Sequence, residues 1–264
     1  MLSQIKSSVV VGISALVLTA SCNTSAQEPP EKFSTITIEV KPGMDAVLEE
    51  VITKFRDAVE KTNGPQRWLA AQSMSGNPVY TINVPFDTWA EFGPPPSSGD
   101  PLVSAYGEEE ARRILSLLRD AEAGATTTIY VARPDLSRPA PAAEATPVAV
   151  LYLDVNVRLG MEQQFEDYAK KLIEATNATE PRAYWQMRER LFGLGNAAGY
   201  RAVVTFQQWS ELDSPTKPLP QRLREHFGAE EGERVAAAGL AAIQGVNERL
   251  NRVRSDLARP PVAN

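Results

Sequence analysis

The 264-residue sequence predicts an α+β fold: two tandem copies of one β-α-β-β-α-β unit. Three observations predict it. Residues recur in the same order at a spacing of 117 to 121 positions. Each copy opens on a strict apolar/polar alternation, the period of a strand with one buried face. Each alternation then passes through a glycine turn into apolar residues at helical spacing.

The recurrence is ordered along the chain. Val40-Lys41-Pro42-Gly43-Met44 matches Val157-Arg158-Leu159-Gly160-Met161, and Trp68 matches Trp185 at the same offset of 117. Tyr80, Phe86, Trp89 and Glu91 match Tyr200, Phe206, Trp209 and Glu211 at 120. Tyr106-Gly107 and Asp135-Leu136-Ser137-Arg138-Pro139 match Phe227-Gly228 and Asp256-Leu257-Ala258-Arg259-Pro260 at 121. The offset changes only between blocks, as loop insertions make it do. A period this long marks a duplicated domain, not a solenoid. The copies span residues 33–139 and 147–261, joined by a Pro/Ala-rich linker at 140–146.

Within a copy the elements follow in order. The first strand puts Ile36, Ile38 and Val40 on one face, and Leu151, Leu153, Val155 and Val157 in the second copy. The first helix carries Val47, Leu48, Val51, Ile52, Phe55 and Val59, and then Phe165, Tyr168, Ala169, Leu172 and Ile173. A second strand lies around Trp68 or Trp185, and a third runs from Tyr80 to Phe86 or Tyr200 to Phe206. A Pro-rich loop follows, at 93–101 and 213–220, in a place suited to a lid. The second helix covers Glu108 to Asp120 and Glu230 to Ile243; the last strand covers Thr127 to Val131 and Val246 to Val253. This is the ferredoxin-like plan. The repeated tryptophans, with Tyr80/Tyr200 and Phe86/Phe206, are expected in the core.

The strand, the short turn with Gly and then Met, the amphipathic helix and the Trp-bearing strands resemble the dimeric α/β-barrel superfamily, in its antibiotic-biosynthesis-monooxygenase-like and NIPSNAP-like branches. The resemblance covers nearly all of residues 33–260. It implies two tandem ferredoxin-like units packed as an intramolecular dimeric α/β barrel, their sheets face to face around a cavity. Some members of that superfamily bind haem through a histidine, so the resemblance implies haem as an alternative, with His226, the single histidine, as its ligand. Its place in the first copy is taken by Ala105, so it stands outside the repeated framework, and a loop-anchoring role is the reading from the residues. No cofactor is evident from the residues themselves.

The helices of a ferredoxin-like unit cover one sheet face. The other face carries Thr35, Thr37, Glu39, Thr81, Asn83, Thr128 and Tyr130 in the first copy. In the second it carries Tyr152, Asp154, Asn156, Arg201, Thr205, Asn247, Arg249 and Asn251, joined by Tyr184, Gln186 and Arg188 if Trp185 faces the helices. Polar groups at covered positions need partners, water or a ligand. Tyr152, Asp154, Asn156, Arg188, Arg201 and Arg249 form the most polar lining. They read either as a cross-strand ion-pair network or as an anion- or carbonyl-recognising site, since arginine forks suit carboxylates. The first copy has Thr and Asn where the second has charge, as if one half scaffolds and the other recognises.

Composition narrows the function. A formal charge of −6 argues against a nucleic-acid partner. One cysteine and one histidine give no metal site of imidazoles or thiolates and no intrachain disulfide. Phosphate-binding loops, dinucleotide turns and serine elbows are missing from the sequence. Residues 1–26 read as a signal peptide: Lys6, an apolar run from Val9 to Leu18, then Leu18-Thr19-Ala20-Ser21-Cys22. The last stretch resembles a lipobox with Thr19 in place of the usual leucine, which makes Cys22 the lipidation site; cleavage after Thr24-Ser25-Ala26 is the competing reading. A membrane is then reached only through an N-terminal lipid anchor. The expectation is an exported cell-envelope protein, periplasmic or membrane-anchored, binding a small, partly apolar ligand between two sheets. The alternatives are a monooxygenase-like enzyme, cofactor-independent or haem-dependent, and an interaction protein without a ligand.

Overall fold

The computed structural model describes residues 32–89, 100–139, 146–180, 183–193, 199–213 and 216–259. The signal peptide with Cys22, residues 140–145 of the linker and residues 93–99 of the first Pro-rich loop lie outside the described residues. Among the described residues no helix is long and apolar enough to cross a membrane. The chain forms two compact units: the first holds the described residues up to Ile129 together with 254–259, the second Tyr130–Val253.

In the first unit, strand β1 (Lys32–Val40) leads to helix α1 (Asp45–Lys61), then strands β2 (Leu69–Ser73) and β3 (Val79–Phe86). Helices α2 (Pro101–Tyr106) and α3 (Glu108–Ala121) precede strand β4 (Glu122–Ala132). The sheet order is β4-β1-β3-β2, the ferredoxin-like arrangement. β1 pairs antiparallel with β3 from Lys32↔Phe86 to Glu39↔Val79, and β2 with β3 from Leu69↔Asn83. Gly43 turns the chain into α1 at φ +80°, a conformation a side chain rarely adopts. The alternation of β1 then sets the core: Ile36, Ile38 and Val40 meet Leu48, Val51 and Val59 of α1 and Ile114 and Leu118 of α3.

The second unit repeats the plan with β5 (Ala149–Val157), α4 (Glu162–Thr179), β6 (Gln186–Phe192), β7 (Gly199–Phe206), α5 (Leu219–Phe227), α6 (Ala229–Ala242) and β8 (Ile243–Val253). Its order is β8-β5-β7-β6, and Gly160 repeats the turn at φ +80°. The fold class is therefore α+β, with two tandem ferredoxin-like units.

The compact units trade ends relative to the sequence copies. β4, at 11 residues, runs on past the first unit, and the chain after β8 returns to it. Tyr130 and the segment to Arg138 thus belong to the second unit, and 254–259 to the first. Tyr130, expected on the first copy's polar face, is a second-unit residue for this reason. The conserved spacing of the tryptophans serves these tails. Trp68 Nε1 donates to the Leu257 carbonyl at 2.8 Å and Trp185 Nε1 to the Leu136 carbonyl at 3.0 Å, while their backbones bridge Arg259 and Arg138.

The tails carry a second repeated feature. Tyr80 donates to Glu49 at 2.6 Å, Glu49 accepts from Arg254, and Arg254 forks onto Asp256 at 2.9 and 2.7 Å. In the second unit Tyr200 donates to Glu166 at 2.9 Å, Arg133 to Glu166 at 2.6 Å, and Arg133 forks onto Asp135 at 2.9 and 2.8 Å. The Arg254 and Arg133 hydrogen bonds hold Glu49 and Glu166 below the usual carboxylate range against the opposing effect of burial. Burial, and next the same carboxylates, push the Tyr80 and Tyr200 phenols up.

Two expectations are corrected. The ends of the predicted Pro-rich loops, Pro101 and residues 219–220, open two short helices, α2 and α5. Asp100 caps α2 by accepting from the Leu102 amide at 2.8 Å, and Pro101 occupies its first turn, where proline's missing N–H costs nothing. Gly107 and Gly228, at φ +82° and +85°, end each short helix and begin the next. Trp89 and Trp209, expected in the core, are 47% and 43% exposed, because both fall beyond the last strand residues, Phe86 and Phe206, where the sheet no longer covers them.

Candidate functional site

The sequence-predicted residues come together on one face of the second unit's sheet. β5 places Tyr152, Asp154 and Asn156 on that face. Arg201 of β7 lies opposite Asp154, Arg188 of β6 opposite Arg201, and Arg249 of β8 opposite Tyr152. Arg201 forks onto Asp154, with Nε to Oδ1 at 2.7 Å and Nη2 to Oδ2 at 2.9 Å. Its guanidinium also lies over the Tyr130 and Tyr152 rings, at 4.7 and 4.9 Å from their centroids. The ion-pair reading and the recognition reading are thus built from the same atoms.

Burial sets the electrostatics of this face. Arg188, Arg201 and Tyr152 are buried. Burial, reinforced by the neighbouring Arg201, pulls Arg188 down to about 10, although nearby Tyr152 opposes it. Arg201 experiences the same burial, but the Asp154 hydrogen bond carries it above its ordinary value. Burial lifts the Tyr130 phenol to about 12. Arg188 donates to Gln186 Oε1 at 3.0 and 2.7 Å. Asn156 accepts from Arg190 at 3.3 Å, and that guanidinium crosses the backbone at Gly199, where a Cβ would stand 2.6 Å from it. Tyr184, expected nearby, packs under Arg138 at 4.9 Å.

A second site escaped the sequence reading. In the first unit a cavity of about 100 Å³ lies between the helices and the sheet. Ile36, Ile38, Ile82 and Val84 form its sheet wall; Val51, Phe55, Val59 and Leu118 form its helix wall. Pro101 and Trp68 complete it, with Gln66 as the polar side chain among the lining residues. Both Gln66 side-chain atoms, Oε1 and Nε2, are buried without a hydrogen-bond partner. A buried amide left this way costs about 1–3 kcal/mol, which a ligand bearing a donor or acceptor would recover.

The corresponding positions of the second unit carry different side chains. Val51 corresponds to Tyr168 and Leu118 to Gly239, and the Tyr168 ring packs so closely on Gly239 that a Cβ there would stand 2.4 Å away. Val59 and Pro101 correspond to Thr176 and Arg222; Arg222 donates to Thr176 Oγ1 at 3.5 Å and to the Lys217 carbonyl at 2.8 Å. The signal was present in the repeat itself, as a Val/Leu pair in one copy against Tyr/Gly in the other.

His226 is the penultimate residue of α5. Its Nε2 lies 3.2 Å from Glu174 Oε1 on α4, and its ring meets Phe227 edge-on at 4.5 Å. It is apart from the polar sheet face. Among the described residues no group of three His, Cys, Asp or Glu side chains is placed to hold a metal ion.

No family model matches the chain, and no curated protein matches it either. Solved structures do. An anthrone oxidase-like protein superposes with a TM-score of 0.54 at 13% identity, over 85% of this chain and 92% of its own. A candidate monooxygenase from Fusobacterium nucleatum superposes with a TM-score of 0.53 at 11% identity, over 90% and 98%. A chlorite dismutase variant from Candidatus Nitrospira defluvii gives 0.47 at 6%, over 87% and 93%. At these identities the likeness establishes the fold alone, an α+β fold of tandem ferredoxin-like units.

Proposed function

We propose that the protein binds a small, largely apolar molecule carrying one hydroxyl or carbonyl group. The molecule is held in the first unit's cavity, with Gln66 as its hydrogen-bond partner, rather than between the sheets as the sequence suggested. The carrying observation is the unpartnered Gln66 carboxamide in an otherwise apolar cavity. The volume is of the order of the roughly 150 Å³ apolar cavity that takes benzene in an engineered protein, so phenol is a suitable probe. Isothermal titration with phenol is expected to show saturable 1:1 binding. Val51→Tyr/Leu118→Gly, which installs the second unit's residues, is expected to abolish it while the fold, followed by circular dichroism, is kept. Binding that survives in this variant sinks the reading.

A second reading, oxidation of the bound molecule, is favoured by the fold shared with the anthrone oxidase-like protein and the candidate monooxygenase. The described lining residues bear no carboxylate, imidazole or thiol, which is why binding leads. Oxygen uptake with phenol or a larger phenolic would reverse that order. The cell-envelope placement rests on the Val9–Leu18 run and Cys22; Cys22→Ser should move the protein from the membrane to the soluble fraction.

A further inference from the structure

We infer that the polar sheet face of the second unit is a separate binding site for a small carboxylate, received by Arg201 and Arg188. Three observations meet there. Arg201 uses Nε and Nη2 on Asp154, while its Nη1 is buried and has no hydrogen-bond partner. A guanidinium nitrogen is a donor only, so what completes it is an acceptor. The second observation is charge. The positions facing this way on β5, β6, β7 and β8 carry Arg188, Arg190, Arg201 and Arg249 against one carboxylate, Asp154. Arg188 and Arg201 are both buried and lie directly across neighbouring strands, where like charges repel. An anion between them offsets that repulsion.

The third observation is shape. The Arg201 guanidinium lies over the Tyr130 and Tyr152 rings, and Asp154 takes its Nε and Nη2. A planar carboxylate accepts guanidinium N–H bonds in the plane of the fork, the geometry Nη1 offers as a donor. The tyrosine rings give an attached aromatic group a surface to pack on. This site is independent of the first-unit cavity and of the reading attached to it.

The test is titration of the full-length mature protein with benzoate and with neutral benzamide, followed by calorimetry. Benzoate is expected to saturate, and benzamide to bind at least about tenfold more weakly, the equivalent of one charged contact. Arg201→Lys is expected to cost benzoate affinity by a similar factor, but it also disturbs Asp154. Arg188→Gln leaves the Arg201–Asp154 pair in place and should weaken benzoate by about tenfold as well. Val51→Tyr/Leu118→Gly should leave benzoate affinity unchanged, which separates this site from the cavity. The inference is overturned if benzoate does not saturate, if benzamide matches it, or if Arg188→Gln binds benzoate like the wild type.

Discussion

Glu49 and Glu166 illustrate how a single side chain ties sequence to stability. Each sits on the first helix of its unit, accepts from a tyrosine of the third strand, and receives an arginine from a returning tail. Both carboxyls are held below their ordinary range. The unfolded chain therefore binds protons at a higher pH than the folded one. Their contribution is complete above the unfolded value of about 4.3 and is lost as pH falls through the lower folded values. Glu49→Gln should cost about 1.5–3 kcal/mol at neutral pH, the range for hydrogen bonds to charged groups. It should also flatten the decline in urea midpoint between about pH 5 and pH 3. A variant whose midpoint falls with acid as steeply as the wild type would contradict this role.

At the level of elements, the same helix pair is packed in two ways. α4 and α6 approach closely because Gly239 accepts the Tyr168 ring, whereas α1 and α3 face each other with Val51 and Leu118 and leave a cavity. Packing at near-crystalline density makes one methyl group matter. Gly239→Ala should therefore destabilise the second unit by about 1–3 kcal/mol through overpacking. In a Tyr168→Val background the same substitution should cost markedly less, since the clashing ring is gone. Thermal unfolding of the four proteins in that cycle measures the coupling; additive effects would mean the contact is relaxed elsewhere.

For the whole molecule, the consequential feature is that the first unit is completed by residues 254–259, which lie beyond the second unit in the chain. Leu257 is buried in the first unit's core, and its carbonyl accepts from Trp68. Truncation after Val253 removes that acceptor together with Arg254 and Asp256. Hydrogen exchange in α1 and β2 should then quicken while α4 and α6 stay protected, because the second unit's own tail, Arg133 to Arg138, is untouched. Equal loss of protection in both units would show that they unfold as one.

Much of this was legible in the sequence. Alternation fixes which face of β1 and β5 is buried, since a one-residue shift would expose the whole apolar set. The 117–121 spacing establishes the duplication, and together they give the ferredoxin-like order. The same alternation brought Tyr152, Asp154, Asn156, Arg188, Arg201 and Arg249 to one sheet face, since register follows from strand phase. What sequence could not decide depends on distances between elements. Whether Arg201 spends its fork on Asp154 and leaves Nη1 over is a matter of ångströms between side chains. α2 and α5 were hidden because proline reads as a breaker until its place in the first turn is known. The exposed Trp89 and Trp209 look like core until the strands are seen to end before them. The first-unit cavity is a property of space left between packed surfaces, and no residue encodes it alone: Val51 and Leu118 are ordinary core residues until their counterparts, Tyr168 and Gly239, are set beside them.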